Sequence, residues 1–404
     1  MRVALLSLIE AVPGEGDGLR GLLSIGGRSI ARHQLGIALA LGCTRILALA
    51  ENLTGELVTM QHLAEARGAR FHVVPSTRAI LPLVSPEDEL FVFADGLLAL
   101  PEDILPLLEA GPGVLTLSVE AGLSAGFERI DINHASAGAM RLSGRVVAGL
   151  GELPSDWAPL PALLRLAGQA RVPQRNLPEA LLTQGRWRLI RTEDEAHRAE
   201  SAWLNFHTGA GEPFTPGTWL ASLAVRRLGP ALLHAGTRPV AVGAASVLLA
   251  LLGVGLGWIG SATLGFVLLA LAWIVLRTSS LLTRVEQVAL LEQPGGLPAA
   301  RIIAGLLDLG FVVVCARRSD IPLVAGVPWG LGWFASLVLF LLLRLFPDIL
   351  ADRAWTVWLR DRFSAGLVLS AVSALLPFDL VVRILILCLI AAAFVRPRKT
   401  GAIS

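Results

Sequence analysis

The sequence predicts two folds in one chain: a soluble α/β domain, followed by an all-α domain of six transmembrane helices. Of its 404 residues, 54% are hydrophobic and only 16% are charged, a composition too apolar for one soluble fold. The apolar excess is concentrated after Val240, in long runs of Leu, Val, Ala and Gly that short charged patches interrupt. Charged residues are frequent before Arg238. The chain therefore has two parts that suit two environments.

The first part alternates segments typical of strands with segments typical of helices. Helix-length segments at residues 29–41 and 55–67 separate the first predicted strands. The predicted strands cover residues 2–9, 45–50, 70–74, 89–94 and 113–119. Such alternation predicts a mostly parallel sheet covered by helices on both faces. Ligands of such sheets bind beyond the carboxyl ends of the strands, where Asp95 and Gly96 are expected to lie.

The second part contains apolar runs of membrane-spanning length. A bilayer core of about 30 Å needs about 20 helical residues at about 1.5 Å each. Six runs approach that length, at residues 240–258, 262–282, 300–316, 323–346, 364–378 and 380–395. Charged residues or proline flank the two shorter runs, as they usually flank the ends of spans.

The distribution of arginines predicts an orientation, because positively charged loops stay in the cytoplasm. With the amino terminus inside, the outer loops hold only Arg317 and Arg318. We therefore expect an integral protein of the inner (cytoplasmic) membrane with both termini in the cytoplasm. Residues 214–234 mix Trp and Leu with Arg226 and Arg227, as an amphipathic helix at the membrane interface would. A simple connecting helix is the alternative.

These observations divide the chain into four segments. They are a cytoplasmic domain at 1–205, a linker with the interfacial helix at 206–237, a six-span domain at 238–396 and a cytoplasmic tail at 397–404. The formal net charge of +2 is too small for a nucleic-acid surface, so we expect no nucleic-acid partner. None of the histidines has metal-ligand spacing, and the sequence has no nucleophile elbow or Walker loop.

Three features of the first domain carry a resemblance to a known family. Residues 21–50, GLLSIGGRSIARHQLGIALALGCTRILALA, are similar to the stretch K-x-L-x-x-V-G-G-x-P-L-L-x-R-x-L-x-x-L-x-x-x-G of sugar-phosphate and polyol-phosphate nucleotidyltransferases. Residues 187–199, WRLIRTEDEAHRA, resemble that family's closing segment W-x-D-V-D-T-P-E-D-x-x-x-A. Asp95, in FVFADG, falls where the family keeps a metal-binding aspartate. The resemblance implies a nucleotidyltransferase-like (Rossmann-like) domain.

The second half resembles the CDP-alcohol phosphatidyltransferases. Its predicted spans follow Thr237-Arg238-Pro239, which is similar to the T-P-N lead-in of that family. The two halves in this order resemble fused inositol-phosphate cytidylyltransferase and CDP-inositol transferase proteins. That resemblance covers nearly the whole chain and implies phospholipid head-group metabolism, with CTP or a CDP-alcohol as ligand and Mg²⁺ in an active member.

The candidate nucleotide-binding residues lie in a glycine-rich loop and at the end of a predicted strand. They are Gly14, Gly16, Gly18, Arg20 and Asp95. Backbone amides of a glycine-rich loop hold phosphates, and carboxylates hold Mg²⁺ across the reacting groups. A surface turn around the glycines is the alternative, as is an ordinary Asp-Gly turn at Asp95.

Three positions of the first domain depart from the chemistry of the family. Gly21 replaces the lysine before the glycine pair, and Leu189 and Arg191 replace the two aspartates of the closing segment. The charge of Arg191 would act against a metal ion there: at an effective dielectric constant near 20, a unit positive charge and a divalent cation about 4 Å apart repel by about 8 kcal/mol. Asp95 is thus left as a metal-ligand candidate without a carboxylate partner.

The second half departs from its family further. The family pattern D-x-x-D-G-x-x-A-R, followed by G-x-x-x-D-x-x-x-D, supplies four carboxylates to two metals. With Arg284 as its arginine, the positions of Asp, Asp, Gly and Ala are occupied by Leu276, Ser279, Ser280 and Thr283. In the third predicted span only Asp308 remains, and one carboxylate cannot organise two metals. An ion pair with Arg301 or Arg284 is the alternative role of Asp308.

Five arginines on the predicted inner side are candidates for binding the phosphate of a lipid or nucleotide. They are Arg277, Arg284, Arg301, Arg360 and Arg362. The forked donors of arginine suit phosphate oxygens, and basic residues are attracted to an anionic leaflet. The alternative is that these arginines only set the orientation in the membrane.

The number of carboxylates favours a non-catalytic or regulatory protein that binds a lipid, a nucleotide or a related enzyme. The expected partners are membrane lipids, a CDP-alcohol or CTP, and a second copy of the chain or a partner enzyme. We expect no cofactor, and Mg²⁺ only if the protein is catalytic; no residue is assigned a catalytic role. The alternative is an active CDP-alcohol head-group transferase or cytidylyltransferase with rearranged metal ligands.

Overall fold

The structure, a computed structural model, describes residues 1–14, 18–153, 157–209, 214–234, 239–290, 299–319, 332–349 and 355–394. The chain divides into two compact units. The first unit contains Met1–His207 and Val285–Gln293, and the second contains Thr208–Arg284 and Pro294–Ser404. Gly16, Thr237, Arg238 and the predicted tail at 397–404 lie outside the described residues.

The first unit combines strands and helices. Its strands are β1 (Arg2–Ser7), β2 (Ser24–Ile25), β3 (Arg28–Ser29), β4 (Arg45–Leu49), β5 (Arg70–Val74), β6 (Glu89–Phe93), β7 (Leu97–Ala99), β8 (Gly113–Ser118), β9 (His134–Ser143), β10 (Gln174–Asn176) and β11 (Trp187–Leu189). Its α-helices are α1 (Ile30–Ala40), α2 (Gly55–Ala66), α3 (Pro101–Glu109), α4 (Val119–Ser124), α5 (Gly144–Ala148), α6 (Pro159–Gln169), α7 (Ala180–Thr183) and α8 (Glu193–Gly209). Single 3-10 segments occur at Arg20–Leu22, Thr77–Leu83 and Gly149–Glu152.

Seven strands form one sheet in the order β10-β8-β9-β6-β1-β4-β5. All neighbours pair in parallel except β9, which is antiparallel to both β6 and β8. Alternate side chains of β1 enter opposite cores. Leu6 packs in the cluster with Leu35 of α1, and Leu5 packs in the cluster with Leu163 of α6. Helices therefore cover both faces of the sheet.

The predicted α/β class and mostly parallel sheet are confirmed. Local signals account for the helices, because Ser29 accepts a hydrogen bond from the Arg32 N–H (3.2 Å) and Thr54 accepts one from the Leu57 N–H (3.3 Å), each as an N-cap. The antiparallel strand β9 was not predicted. Its sequence, HASAGAMRLS, is mostly Ala, Ser and Gly, which give little strand signal on their own.

The second unit is helical. Its helices are α9 (Pro216–His234), α10 (Pro239–Trp258), α11 (Ala262–Leu290), α12 (Ala299–Arg318), α13 (Gly332–Ile349), α14 (Thr356–Leu359), α15 (Arg362–Leu375) and α16 (Phe378–Phe394). Its core contains stacked aromatic rings, with Phe266 of α11 centred 6.3 Å from Phe311 and 5.9 Å from Phe378. Gly366 lets α15 approach α11, because a Cβ at that position would lie 2.8 Å from the side chain of Ala270.

Among the described residues, three helices are long and apolar enough to cross a membrane, by length and composition only. They are Val240–Trp258, Ala262–Arg284 and Ala299–Arg318. The six predicted spans are therefore corrected to three candidate spans within the described ranges. With 14 and 17 residues, α15 and α16 reach about 21 and 26 Å, less than a bilayer core of about 30 Å. The fourth predicted span lies partly outside the described residues, and its described part is α13.

Candidate functional site

Asp95 lies at the carboxyl edge of the sheet, in the turn that joins β6 to β7. Helix α1 holds this turn, because the buried Gln34 side chain donates hydrogen bonds to the carbonyl oxygens of Ala94 (2.8 Å) and Leu97 (2.9 Å). Gly96 has a φ of +75°, and a Cβ there would lie closer than 3.0 Å to the carbonyl oxygen of Ile190. Only glycine fits this position without a rearrangement of the backbone.

The Asp95 carboxylate is turned towards the protein's own backbone. It is 2% exposed, and Oδ2 accepts hydrogen bonds from the N–H groups of Ile9 and Glu10, both at 2.8 Å. Oδ1 is buried without a hydrogen-bond partner among the described atoms, and a Cβ on Gly21 would lie 3.0 Å from it. Burial raises the pKa of Asp95 to about 7, and the Glu10 carboxylate adds to the rise while the neighbouring amides oppose it.

The glycine loop is stabilised by contacts within its own hairpin. The N–H of Val12 donates to the carbonyl oxygen of Gly18 (2.7 Å), and the N–H of Arg20 donates to that of Glu10 (2.9 Å). The Arg20 guanidinium forms an ion pair with Glu10 and donates to the carbonyl oxygen of Ala11 (3.2 Å). Arg20, one of the predicted nucleotide-binding residues, is therefore paired with the Glu10 carboxylate.

Two acids, Glu10 and Glu128, were not among the predicted site residues. Glu10 follows β1, and its charge also acts on Glu128, whose pKa is raised first by partial burial and then by Glu10. The position of Glu10 directly after the first predicted strand was a usable signal. Nothing in the sequence around Glu128 indicated that the charge of Glu10 acts on it.

The closing segment of the first unit lies beside the turn that carries Asp95. Strand β11 pairs with β7, and the Ile190 N–H donates to the carbonyl oxygen of Gly96 at 2.8 Å. The Arg191 side chain binds Glu195 (3.3 Å), and a Cβ on Gly126 would meet its guanidinium at 2.6 Å. Arg191 is therefore engaged with a helix α8 carboxylate.

The glycine pair of residues 21–50 also contacts helix α8. The Gly26 N–H donates to the buried Glu200 carboxylate at 2.8 Å, and a Cβ on Gly26 would lie 2.7 Å from the ring of Trp203. The first stretch that carries the family resemblance therefore contacts helix α8, which begins within the second stretch, although 174 residues separate Gly26 from Glu200.

The residues of this edge do not fit a Mg²⁺ ion. Mg²⁺ requires several oxygen ligands in octahedral geometry, whereas one oxygen of Asp95 already accepts two amide N–H groups. The Glu10 carboxylate is bound by Arg20. Within the described ranges, no group of three or more His, Cys, Asp or Glu side chains could hold a metal ion.

The second unit contains a cavity of about 520 Å³ rich in arginine, here called the arginine cavity. Its described lining includes all five arginines predicted to bind phosphate, together with Arg344. The remaining lining residues are Thr215, Thr218, Trp273, Ala304, Asp308, Leu343, Asp348, Val357 and Asp361. Six arginines and three aspartates line this cavity among the described residues, so its charge is positive.

Asp308 binds an arginine that differs from the two predicted for it. Its Oδ1 accepts from the Nε of Arg362 at 2.6 Å, and its Oδ2 accepts from the Nη2 of Arg362 at 3.2 Å. Arg344 lies 3.9 Å away on the same carboxylate. The sequence had suggested Arg301 or Arg284 as the alternative partner, and the structure assigns Arg362. Paired in this forked geometry, Asp308 does not fit a metal ion either.

Asp361 joins the amino-terminal ends of two helices beside the cavity. Its carboxylate accepts from the N–H of Gly217, in the first turn of α9, at 3.0 Å. It also accepts from the N–H of Phe363 (3.2 Å) and the hydroxyl of Ser364 (2.7 Å), in the first turn of α15. Asp361 was not among the predicted site residues, although its position between Arg360 and Arg362 was a signal that could have drawn attention to it.

Comparison with known proteins gives similar solved structures but no family. No protein-family model matches the chain, and no curated protein matches it. A solved structure of a UDP-glucose pyrophosphorylase from Acinetobacter baumanii is similar, with 12% sequence identity over 51% of this chain and 94% of that chain and a TM-score of 0.38. At these values the similarity carries no functional argument. The α/β class of the first unit rests on its own sheet.

Proposed function

We propose that this chain is a membrane protein of phospholipid head-group metabolism that binds the phosphate of a lipid or nucleotide in the arginine cavity without transferring it. The observation that carries the proposal is the cavity itself, where arginines from four helices and the α14–α15 turn surround about 520 Å³. Guanidinium groups match phosphate oxygens in geometry and charge. A phosphate-bearing ligand would gain contacts that a neutral ligand would not.

The non-catalytic part of the proposal is supported by what the carboxylates already bind. Phosphatidyl and nucleotidyl transfer depend on metals that carboxylates hold against a diphosphate. Asp308 is held by Arg362, and Asp361 is held by two helix ends. Asp95 accepts backbone amides. The same reasoning supports weak or absent binding of Mg²⁺-CTP by the first unit.

Three candidate membrane helices and the bias of arginines support the proposed location in the inner membrane, with both termini in the cytoplasm. Helix α9 supports an interfacial position, since Trp219 and Leu228 are exposed beside Arg226 and Arg227. A second copy of the chain or a partner enzyme would be a further binding partner of such a protein.

Binding without turnover is the expected result for the purified full-length protein. In detergent micelles, a CDP-alcohol should quench Trp273 fluorescence, while no CMP is released with or without Mg²⁺. No pyrophosphate should be released from CTP and an alcohol phosphate. The double variant Arg284→Ala/Arg360→Ala should bind at least tenfold more weakly, which corresponds to about 1.4 kcal/mol. Arg317→Ala, which changes an arginine outside the cavity, is the matched control.

Each part of this proposal has its own opposing outcome. Mg²⁺-dependent release of CMP by the wild type would show an active transferase with rearranged ligands. Equal binding by the double variant and the wild type would leave the arginines with a role in orientation only.

The proposed orientation predicts which thiols can be labelled from outside the cell. In a Cys388→Ser background, which removes the exposed native thiol, an impermeant maleimide should label Ile259→Cys. This residue is 76% exposed and lies between the first two candidate spans. Trp358→Cys, in the predicted cytoplasmic loop at 347–362, should react only after the cells are opened. The reverse pattern would invert the orientation.

A further inference from the structure

Arg344 of α13 lines the arginine cavity and was not among the five arginines predicted to bind phosphate. Its side chain is 53% exposed. Among the described residues its guanidinium has one ion pair, with Oδ2 of Asp308 at 3.9 Å. That distance is too long for a hydrogen bond. Within the part of the chain that the structure describes, the N–H donors of Arg344 are therefore uncommitted.

Asp308 leaves the charge of Arg344 uncompensated, because it is already bound by Arg362. The carboxylate accepts two hydrogen bonds from that guanidinium, at 2.6 and 3.2 Å. Arg362 also donates to the carbonyl oxygen of Leu359 and lies over the ring of Phe340 at 5.8 Å. Its side chain is only 5% exposed, so it is enclosed by the protein. One carboxylate thus faces two guanidinium groups, and the more exposed of the two keeps its positive charge.

Arg344 lies across helix α12, close to a second arginine of the cavity. A Cβ on Gly305 of α12 would lie 3.3 Å from Nη1 of Arg344. Gly305 follows Arg301 by four residues, which is about one helical turn, so both positions lie on one face of α12. Arg301 is exposed and lines the same cavity, and it forms no hydrogen bond or ion pair with another described residue. The cavity wall therefore offers two guanidinium groups with uncommitted donors.

We infer that Arg344 and Arg301 contact the ligand in the arginine cavity, and that they bind a terminal phosphate or a diphosphate in preference to a phosphodiester. The inference rests on the proposed function. One guanidinium can donate to two oxygens of a phosphate, so two of them match more than the two free oxygens of a phosphodiester. A terminal phosphate has three acceptor oxygens and a charge of about −1.5 to −2. The charges of Arg344 and Arg301 offset that charge.

The test is calorimetry on the purified full-length protein in detergent micelles. The phosphate probes are inorganic pyrophosphate and dihexanoyl phosphatidic acid, and dihexanoyl phosphatidylglycerol is the phosphodiester with the same acyl chains. The wild type should bind phosphatidic acid at least about tenfold more tightly than phosphatidylglycerol. Arg344→Gln and Arg301→Gln should each weaken binding of the phosphate probes at least about tenfold. Arg344→Lys should restore part of the binding, because lysine keeps the charge without the fork. Arg317→Gln, at the other end of α12 and outside the cavity, should match the wild type.

A second variant tests Arg344 without changing an arginine. Gly305→Leu places a side chain where the Arg344 guanidinium lies, so it should weaken binding of the phosphate probes. In an Arg344→Gln background it should have little further effect. Gly255→Leu, where a Cβ would meet nothing within 4 Å, is the matched control. Thermal unfolding of each variant shows whether it is folded. An equal loss from Gly305→Leu in both backgrounds would show that its effect does not pass through Arg344.

The outcomes separate this inference from the proposed function. Failure of the wild type to bind any phosphate probe would overturn both. Wild-type binding that either glutamine change leaves unaltered would overturn the inference and leave the proposed function standing. Equal binding of phosphatidic acid and phosphatidylglycerol would overturn the preference for a terminal phosphate. Binding of phosphatidic acid alone would support the inference with a lipid as the source of the phosphate, and binding of pyrophosphate would support it with a site that recognises phosphate itself.

Discussion

Replacing Asp95 by asparagine is expected to remove a pH dependence from the first unit and to stabilise that unit above neutral pH. Burial raises the pKa of Asp95 from 3.8 to about 7 in the folded protein. Because the folded state binds the proton more tightly than the unfolded state, stability falls as pH rises from the unfolded pKa through the folded one. A shift of this size corresponds to at most about 4 kcal/mol, and about 2–3 kcal/mol of it develops between about pH 5 and about pH 8.

The Asp95→Asn variant isolates the charge because its shape is nearly unchanged. The amide oxygen can still accept from the N–H groups of Ile9 and Glu10, whereas the amide nitrogen takes a buried position whose new donor costs about 1–3 kcal/mol. The expected net gain at about pH 8 is therefore about 1–3 kcal/mol. At about pH 5 the variant should equal the wild type or be less stable.

Hydrogen exchange measured by mass spectrometry on the full-length protein checks this effect locally. Peptides from β1 and β6 in the wild type should exchange faster as pH rises, after correction for the intrinsic pH dependence of exchange. In Asp95→Asn this extra dependence should disappear. Glu51→Gln, which changes an exposed acid, serves as the control. If the protection of these wild-type peptides against exchange does not change with pH, ionisation of Asp95 does not lower the stability of the first unit.

The sequence was a good guide to the first strands because most of them are buried apolar segments between turn residues. The segment at 45–49 shows this, since it pairs on both sides in the sheet and its residues after Arg45 are all apolar. Asp95 was correctly expected at the carboxyl edge for the same reason. The hydrogen bonds that Asp95 accepts from the protein's own backbone were not predictable, because Ile9 and Glu10 lie in the segment after β1, at least 85 residues away in sequence.

The arginine cavity shows a similar limit. The positive-inside pattern and the family resemblance pointed to five arginines, and all five line one cavity. The ion pairs within that cavity could not be predicted from the sequence in the same way. The alternative role of Asp308 was an ion pair with Arg301 or Arg284, and in the structure it binds Arg362, 54 residues away. Pairing depends on how α12 meets α15, and helix periodicity does not specify this.

A helix must be long enough to cross the bilayer, so apolar composition alone overestimates the number of membrane spans. The last two apolar runs of the sequence are separated by Pro377 and form α15 and α16, both shorter than the three candidate spans. Their exposed apolar side chains, such as Leu375 and Leu387, are typical of helices in contact with lipid or with another protein. The apolar character of a helix thus indicates its surroundings better than it indicates whether the helix crosses the membrane.

Replacing Gly217 by alanine is expected to destabilise the second unit through Asp361. A Cβ at Gly217 would lie closer than 3.0 Å to Asp361 Oδ1, so the carboxylate would have to leave the position where it caps α9 and α15. Hydrogen bonds to a charged group contribute about 1.5–3 kcal/mol each, and a helix N-cap contributes about 1 kcal/mol. Loss of both caps should therefore cost about 3–5 kcal/mol.

The location of this effect can be measured with a double-mutant cycle on purified full-length protein. Gly217→Ala should lower the thermal unfolding midpoint by several degrees, whereas Gly255→Ala, where a Cβ would meet nothing within 4 Å, should leave it unchanged or raise it. In an Asp361→Ala background the Gly217→Ala change should have little further effect, because the carboxylate it displaces is gone. Additive losses in the double variant would show that the two residues act independently. A Gly217→Ala protein as stable as the wild type would mean that Asp361 does not hold the two helix ends together.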